Sequence, residues 1–134
     1  MEKATVVVIG SGGREHAFCL ALDASPHVGE LHCIPGNAGT ALLATNHPGS
    51  IHPSELMPLL LDLKPDLVVV GPEAPLCDGL ADACAEHHLP CFGPVAALAH
   101  LEGSKLHAKE TMEMAGVPTA AYLRLDAEIG RAHV

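Results

Sequence analysis

The apolar positions of the chain fall in short blocks, and most blocks end in glycine or proline. "ATVVVIG" (4–10) is a β-branched run closed by glycine, which predicts a buried strand. From Arg14 to Asp23 the period lengthens, and Ala17, Phe18, Leu20, Ala21 and Leu22 form a broad apolar helix face. "SPHVGE" (25–30) reads as a turn, and "LHCI" (31–34) reads as a second strand that runs into "PGNAGT" (35–40). "ATNHPGSIHP" (44–53) is irregular, with at most a short strand near Ile51.

Ser54 stands as the N-cap of a helix over "ELMPLLLDL" (55–63). Pro58 then falls in the first turn, where its missing N–H has no helical partner. "KPD" (64–66) ends that helix, and "LVVV" (67–70) is the clearest strand, leading into "GPEAPL" (71–76). A helix covers Cys77 to His88, and "LPCFGP" (89–94) holds a short strand. Alternation of this kind predicts an α/β fold, an open doubly wound parallel sheet of the Rossmann-like type with right-handed crossovers.

After Pro94 the pattern changes. "VAALAHL" (95–101) is a short helix, and Ser104 caps a second over "KLHAKETMEMA" (105–115), stopped by Gly116 at C′ with Pro118 beyond. "TAAYLRL" (119–125) opens an extended segment that has no partner left in the chain, as if a second domain starts there and is cut off. The final stretch, "EIGRAHV" (128–134), matches a translation of GAG ATC GGA AGA GCA CAC GTC, found in widely used sequencing adapters, and is expected to be a non-native tail. The expected organisation is an α/β domain over 1–100, a linker and truncated second domain over 101–127, and the tail over 128–134.

Composition narrows this picture. Apolar residues make up 49% of the 134 positions, yet there is no Trp, one Tyr and two Phe, so the core is built from Val, Leu, Ile and Ala. That suits a parallel sheet covered by Ala- and Leu-rich helices. The net charge of −9 argues against nucleic acid or an anionic membrane as partner. It also requires any anionic ligand to be held by local donors. The five cysteines contain no C-x-x-C pair and are odd in number, which fits a reducing cytosol better than a disulfide framework. No apolar run approaches the ~20 residues of a membrane span, and the N-terminus lacks a signal-peptide layout, so the expected location is cytoplasmic.

In a doubly wound sheet the carboxyl ends of the strands share one edge, and ligands bind there at the switch in strand order. The turns on that edge are "GSGGREH", "PGNAGT", "GPEAPL" and "FGP". Successive N–H groups in such loops form an anion nest, and the helix starting near Arg14 adds its positive end. A dinucleotide site wants G-x-G-x-x-G with an acidic residue closing the second strand. Gly10 and Gly12 fit, but the third position is Glu15, and the second strand ends in Ile34-Pro35-Gly36. No G-K-[ST] follows the cluster, so a P-loop is absent too. The plain alternative for Gly12 and Gly13 is a tight strand-to-helix turn with no ligand.

Ten histidines invite a metal reading, but there is no H-E-x-x-H, and the adjacent His87 and His88 cannot share a helix face. No metal site is expected. Cys19 and Cys84 read as small core residues rather than nucleophiles. Lys105 and Lys109, four apart, read from sequence alone as surface lysines.

"VIGSGGREHA", "PGNAGT", "LVVVGPEAPL", "CFGP", "LEGSK" and "AGVPTAAY" occur in an order that resembles the phosphoribosylamine–glycine ligase family, also called glycinamide ribonucleotide synthetases. The resemblance runs from about Ala4 to Tyr122 and departs from the family pattern at "HPGSIHPSEL" and at Val95–His100. It implies a pre-ATP-grasp domain followed by the start of a truncated ATP-grasp portion. It implies a parent ligase of purine biosynthesis in which ATP, with Mg²⁺, phosphorylates glycine and the amine of 5-phosphoribosylamine attacks the glycyl phosphate. The fragment alone is expected to be inactive.

Carried onto this chain, the resemblance makes Gly10, Ser11, Gly12 and Gly13 the phosphate-binding turn, with Arg14, Glu15 and His16 beside it. Gly36, Asn37, Ala38, Gly39 and Thr40 would line the sugar, together with Gly71, Pro72, Glu73, Ala74, Pro75 and Leu76. Glu73 would accept from ribose hydroxyls or the amine. Lys105 becomes a candidate nucleotide contact, and no metal ligand of the family falls inside the chain. Three other readings stay open: an NAD(P)-binding domain of an oxidoreductase, a non-catalytic sugar-phosphate-binding module, and another ATP-grasp ligase.

Overall fold

A computed structural model describes residues 3–124. The chain divides into two compact units, Met1–Ala99 and His100–Val134.

The first unit is built on a five-stranded, all-parallel sheet in the order β3-β2-β1-β4-β5. The strands are β1 (Ala4–Gly10), β2 (Val28–Pro35), β3 (Thr45–Asn46), β4 (Leu67–Val70) and β5 (Cys91–Phe92). The helices are α1 (Gly13–Asp23), α2 (Pro53–Leu63), α3 (Glu73–Cys77) and α4 (Leu80–Glu86), and α5 (Ala96–Gly103) spans the boundary between the two units.

β1 lies at the centre, paired with β2 from Ala4 to Gly10 and with β4 from Val6 to Ile9. Its side chains alternate between two buried clusters, as a strand covered on both faces requires. Val7 and Ile9 pack with Leu56, Leu60, Val68 and Leu80, beneath α2 and α4. Val6 and Val8 pack with Cys19, Leu31 and Cys33, beneath α1. The helix joining β1 to β2 and the helices flanking β4 therefore cover opposite faces. The sheet is doubly wound, with its switch between β1 and β4.

Several boundaries differ from the sequence reading. β2 begins at Val28, so half of the expected turn is strand; a register shift between Ala4 and Thr5 lets Gly29 pass without a partner. The short strand expected near Ile51 is at Thr45–Asn46 instead, paired with His32 and Cys33. α2 starts at Pro53, and its cap is His52, whose side chain accepts from the Ser54 N–H, rather than Ser54 itself. Pro58 is thus beyond the first turn, on an exposed face. The helix expected over 77–88 is two helices, broken at Gly79 (φ 88°), and the first begins at Glu73 inside the expected loop.

In the second unit α6 (Lys105–Met114) is capped by Ser104, whose side chain accepts from the His107 N–H at 3.2 Å. Residues 117–124 have no regular secondary structure, so the expected extended segment forms no strand as far as it is described. Among the described residues no strand follows Phe92, and an ATP-grasp start is not visible. The tail at 128–134 lies outside the described residues. No described helix is long and apolar enough to cross a membrane.

Candidate functional site

Three strand ends are laced together at the carboxyl rim. Gly36 N–H donates to the Gly10 carbonyl (3.1 Å), and Gly71 N–H donates to the Ile9 carbonyl (3.1 Å). Gly10 leaves β1 at φ 126°, a conformation open to glycine, and this turns the chain into α1 within two residues. The first N–H groups of α1 have no carbonyl within the helix to bond to.

One of these donors is satisfied from inside the protein. Glu15, at the third helical position, reaches back so that its Oε2 accepts from the Gly12 N–H at 2.7 Å. This is the acidic half of a capping box. Glu15 is 4% exposed, and its Oε1 accepts from Arg14 Nε at 3.2 Å, while the Arg14 side chain stays half exposed. Glycines make the room: a Cβ on Gly10 would stand 2.7 Å from Glu15 Cδ, and one on Gly71 would overlap Oε1. The carboxylate thus sits in the crevice between β1 and β4, beneath the loop expected to hold a phosphate.

A cleft of about 570 Å³ opens above it. Gly10, Ser11, Gly12, Glu15 and Pro72 line it, all of them expected from the sequence. Pro35 and the segment Gly49–Ile51 line it as well, and sequence reasoning missed them. Their signal was faint, because Gly49 and Ser50 follow a strand too short to show a pattern.

The other expected residues take different places. Gly13 and Arg14 are exposed at the start of α1, and His16 packs against Gly39. Asn37 knots its own loop: its Oδ1 accepts from Gly39 N–H (2.8 Å) and Thr40 N–H (3.0 Å). Its Nδ2 donates to the Ser11 carbonyl at 2.9 Å, tying the second loop to the first. Thr40 is fully buried, and its hydroxyl lies between the Asn37 carbonyl (3.0 Å) and Asn46 Oδ1 (2.8 Å). Ala38 is exposed. Gly71 abuts Glu15, and Glu73 and Ala74 are exposed at the start of α3. Pro75 and Leu76 are buried, Leu76 in the core.

In the second unit Lys105 lines a pocket of about 310 Å³ with Lys109, Tyr122 and Arg124. Lys109 Nζ bonds to Thr119 Oγ1 and the Ala120 carbonyl and lies 5.7 Å from the Tyr122 ring centre.

A cavity of about 590 Å³ flanks β2 between Gly29–His32 and Ala41–Thr45. The Gly10–Gly12 and Gly71–Pro72 turns do not reach it, so the rim cleft is the better candidate. Nearby, His32 Nδ1 and His47 Nε2 are 3.0 Å apart. His32 Nε2 is buried without a hydrogen-bond partner, 3.7 Å from Glu30 Oε2. Burial, and then the nearness of His32, lower the His47 pKa. On the α1 face, burial and then Cys33 push the Cys19 thiol up to about 12.

Residues 4–102 match the family model described as "Phosphoribosylglycinamide synthetase, N domain". The chain belongs to this family. The match to the phosphoribosylglycinamide synthetase N domain takes in every rim loop and stops before Lys105. Among curated relatives, the phosphoribosylamine–glycine ligase of Streptomyces coelicolor is 52% identical over 116 residues, covering 86% of this chain and 28% of the relative. That of Mycobacterium leprae is 47% identical over 133 residues, covering 94% of this chain and 32% of the relative. The chain therefore spans about 28% of the length of the first of these.

The crystal structure of phosphoribosylamine–glycine ligase from Thermotoga maritima superimposes with a TM-score of 0.63 at 36% identity, over 87% of this chain and 26% of that one. The biotin carboxylase domain of a thermophilic 2-oxoglutarate carboxylase shares the fold, with a TM-score of 0.62 at 18% identity, over 87% of this chain and 29% of that one. The doubly wound sheet read from the sequence agrees with the Thermotoga neighbour.

Proposed function

We propose that this chain is the sugar-phosphate side of an ATP-dependent ligase that joins glycine to 5-phosphoribosylamine, giving glycinamide ribonucleotide, ADP and phosphate. The observation that carries the reading is the rim cleft at the β1–β4 switch in a chain of the phosphoribosylglycinamide synthetase N-domain family. A monophosphorylated sugar needs one cluster of amide donors and a few polar groups that face its hydroxyls. The exposed Gly13 and Arg14 at the start of α1 supply the first, and Glu15 and Ser50 supply the second.

In this reading the phosphate sits over the first turn of α1, and Glu73 reaches the sugar from the start of α3. ATP and Mg²⁺ act on glycine elsewhere in the parent ligase. Among the described residues no three His, Cys, Asp or Glu side chains converge on a point that could hold a metal ion. Lys105, with Lys109 nearby, offers a cationic contact suited to a nucleotide phosphate.

The test is a coupled assay of ADP release with phosphoribosylamine generated in situ. The chain alone is expected to give none, and isothermal titration with ribose 5-phosphate is expected to show binding. Turnover by the chain alone, or no heat of binding at millimolar ligand, overturns the reading.

A further inference from the structure

This inference rests on the sugar-phosphate reading of the rim cleft. We propose that the Glu15 carboxylate sets the direction in which a ligand lies there. It accepts from the hydroxyl or ammonium end of the ligand inside the β1–β4 crevice, and it excludes phosphoanions from that crevice. A phosphate is thereby confined to the outer side, at Gly13 and Arg14.

The geometry carries this in three steps. In a dinucleotide site the amides of the first glycine turn approach the pyrophosphate. Here the Gly12 amide is already bonded to Glu15 Oε2 at 2.7 Å, so that donor faces a carboxylate instead of a ligand. Second, Glu15 lines the cleft although it is 4% exposed. Charge repulsion in a partly desolvated crevice is stronger than in open water, so a second anion placed against Glu15 is disfavoured. Third, a carboxylate offers roughly four acceptor sites and no donor. Oε1 and Oε2 each take one N–H from the protein, from Arg14 Nε and Gly12, and keep capacity for donors from a ligand. Ribose hydroxyls and an amine are donors; phosphate oxygens are not.

The glycines make this placement possible. Gly10 and Gly71 leave the volume that the Glu15 side chain fills, and a β-carbon at either would displace it. The crevice thus rejects a bare diphosphate, and the site favours a compound with donors at one end and a phosphate at the other.

The test uses amide shifts of the ¹⁵N-labelled chain and its Glu15→Gln variant, titrated separately with ribose 5-phosphate and with inorganic pyrophosphate. In the wild-type chain pyrophosphate is expected to move amides of residues 13–16 only, leaving Gly10 and Gly12 in place. Glu15→Gln, which keeps an acceptor for the Gly12 N–H, is expected to bind pyrophosphate about tenfold more tightly, with Gly12 now shifting. The same variant is expected to bind ribose 5-phosphate more weakly, by about tenfold.

A Gly12 shift with pyrophosphate in the wild-type chain overturns the proposal, and so does a variant unchanged toward both ligands. Should Glu15→Gln lose its dispersed spectrum, the wild-type pyrophosphate map decides alone. Ribose 5-phosphate that moves no rim amide counts against the sugar-phosphate reading. Exclusion by Glu15 is then judged on pyrophosphate: a gain in the variant upholds it, and no change sinks it.

Discussion

The Glu15 carboxylate fills the space that a β-carbon on Gly71 would need, so α1 and the turn after β4, far apart in sequence, are fitted to each other at one side chain. Gly71→Ala is expected to push the carboxylate off the Gly12 N–H and to cost about 1–3 kcal/mol. Glu15→Ala removes the overlap, so the double variant should lose less than the sum of the single losses. Urea denaturation of the four proteins measures this cycle, and strictly additive losses would count against the contact.

Asn37 ties two rim loops by bonding Gly39 and Thr40 with its oxygen and Ser11 with its nitrogen. Asn37→Ala leaves those backbone groups short of partners, with an expected loss of about 1–3 kcal/mol. Asn37→Asp keeps the acceptor and loses the bonds from Nδ2 to the Ser11 and Gly12 carbonyls, so it should fall between the two. Thermal melting ranks the three proteins.

His47 provides a pH dependence whose sign follows from its lowered pKa. The unfolded chain takes up a proton at His47 near the ordinary value of 6.5, before the folded chain does. The contribution of the neutral, His32-paired ring is thus complete above that value and is lost as pH falls through 6.5 toward the lower folded pKa. His47→Gln should flatten the stability profile between pH 7.5 and 5. Parallel profiles for the two proteins would remove His47 from the account.

Cys19 is fully buried, and its thiol is pushed up to about 12. Thiolate is the reacting form, so iodoacetamide at pH 8 should leave Cys19 unmodified in the folded chain and label it in urea. Peptide mass mapping reads this out. Native labelling of Cys19 as fast as the partly exposed Cys77 would contradict the packing of α1 on β2.

The elements legible in the sequence were those with a strong local pattern. Val6–Ile9 and Val68–Val70 are buried on both faces and read as unbroken β-branched runs. Thr45–Asn46 carries no such pattern, because a two-residue edge strand buries too little to need one. α3 was hidden by Pro72 and Pro75, although Pro72 is its cap and Pro75 its third residue, where a missing N–H disturbs no helical bond. His52 escaped as a cap because its ring nitrogen takes the part usually played by a short oxygen side chain.

The rim shows the same division. Glycine-rich turns at strand ends announced a site, and the failed dinucleotide pattern drew notice to Glu15. That Gly10, Gly12 and Gly71 all close around that one side chain was not legible, since Gly71 enters from another strand. The lining by Gly49–Ile51 likewise depends on where β3 delivers the chain.

The strand order also bears on how the chain is made. β1 leaves the ribosome well before the neighbour that completes it, β4, which begins at Leu67. Until that point is translated, the central strand has one open flank, and the cluster of Val7, Ile9 and Val68 cannot assemble. Such distant pairing slows closure and leaves the nascent polypeptide exposed to chaperones until β4 has emerged.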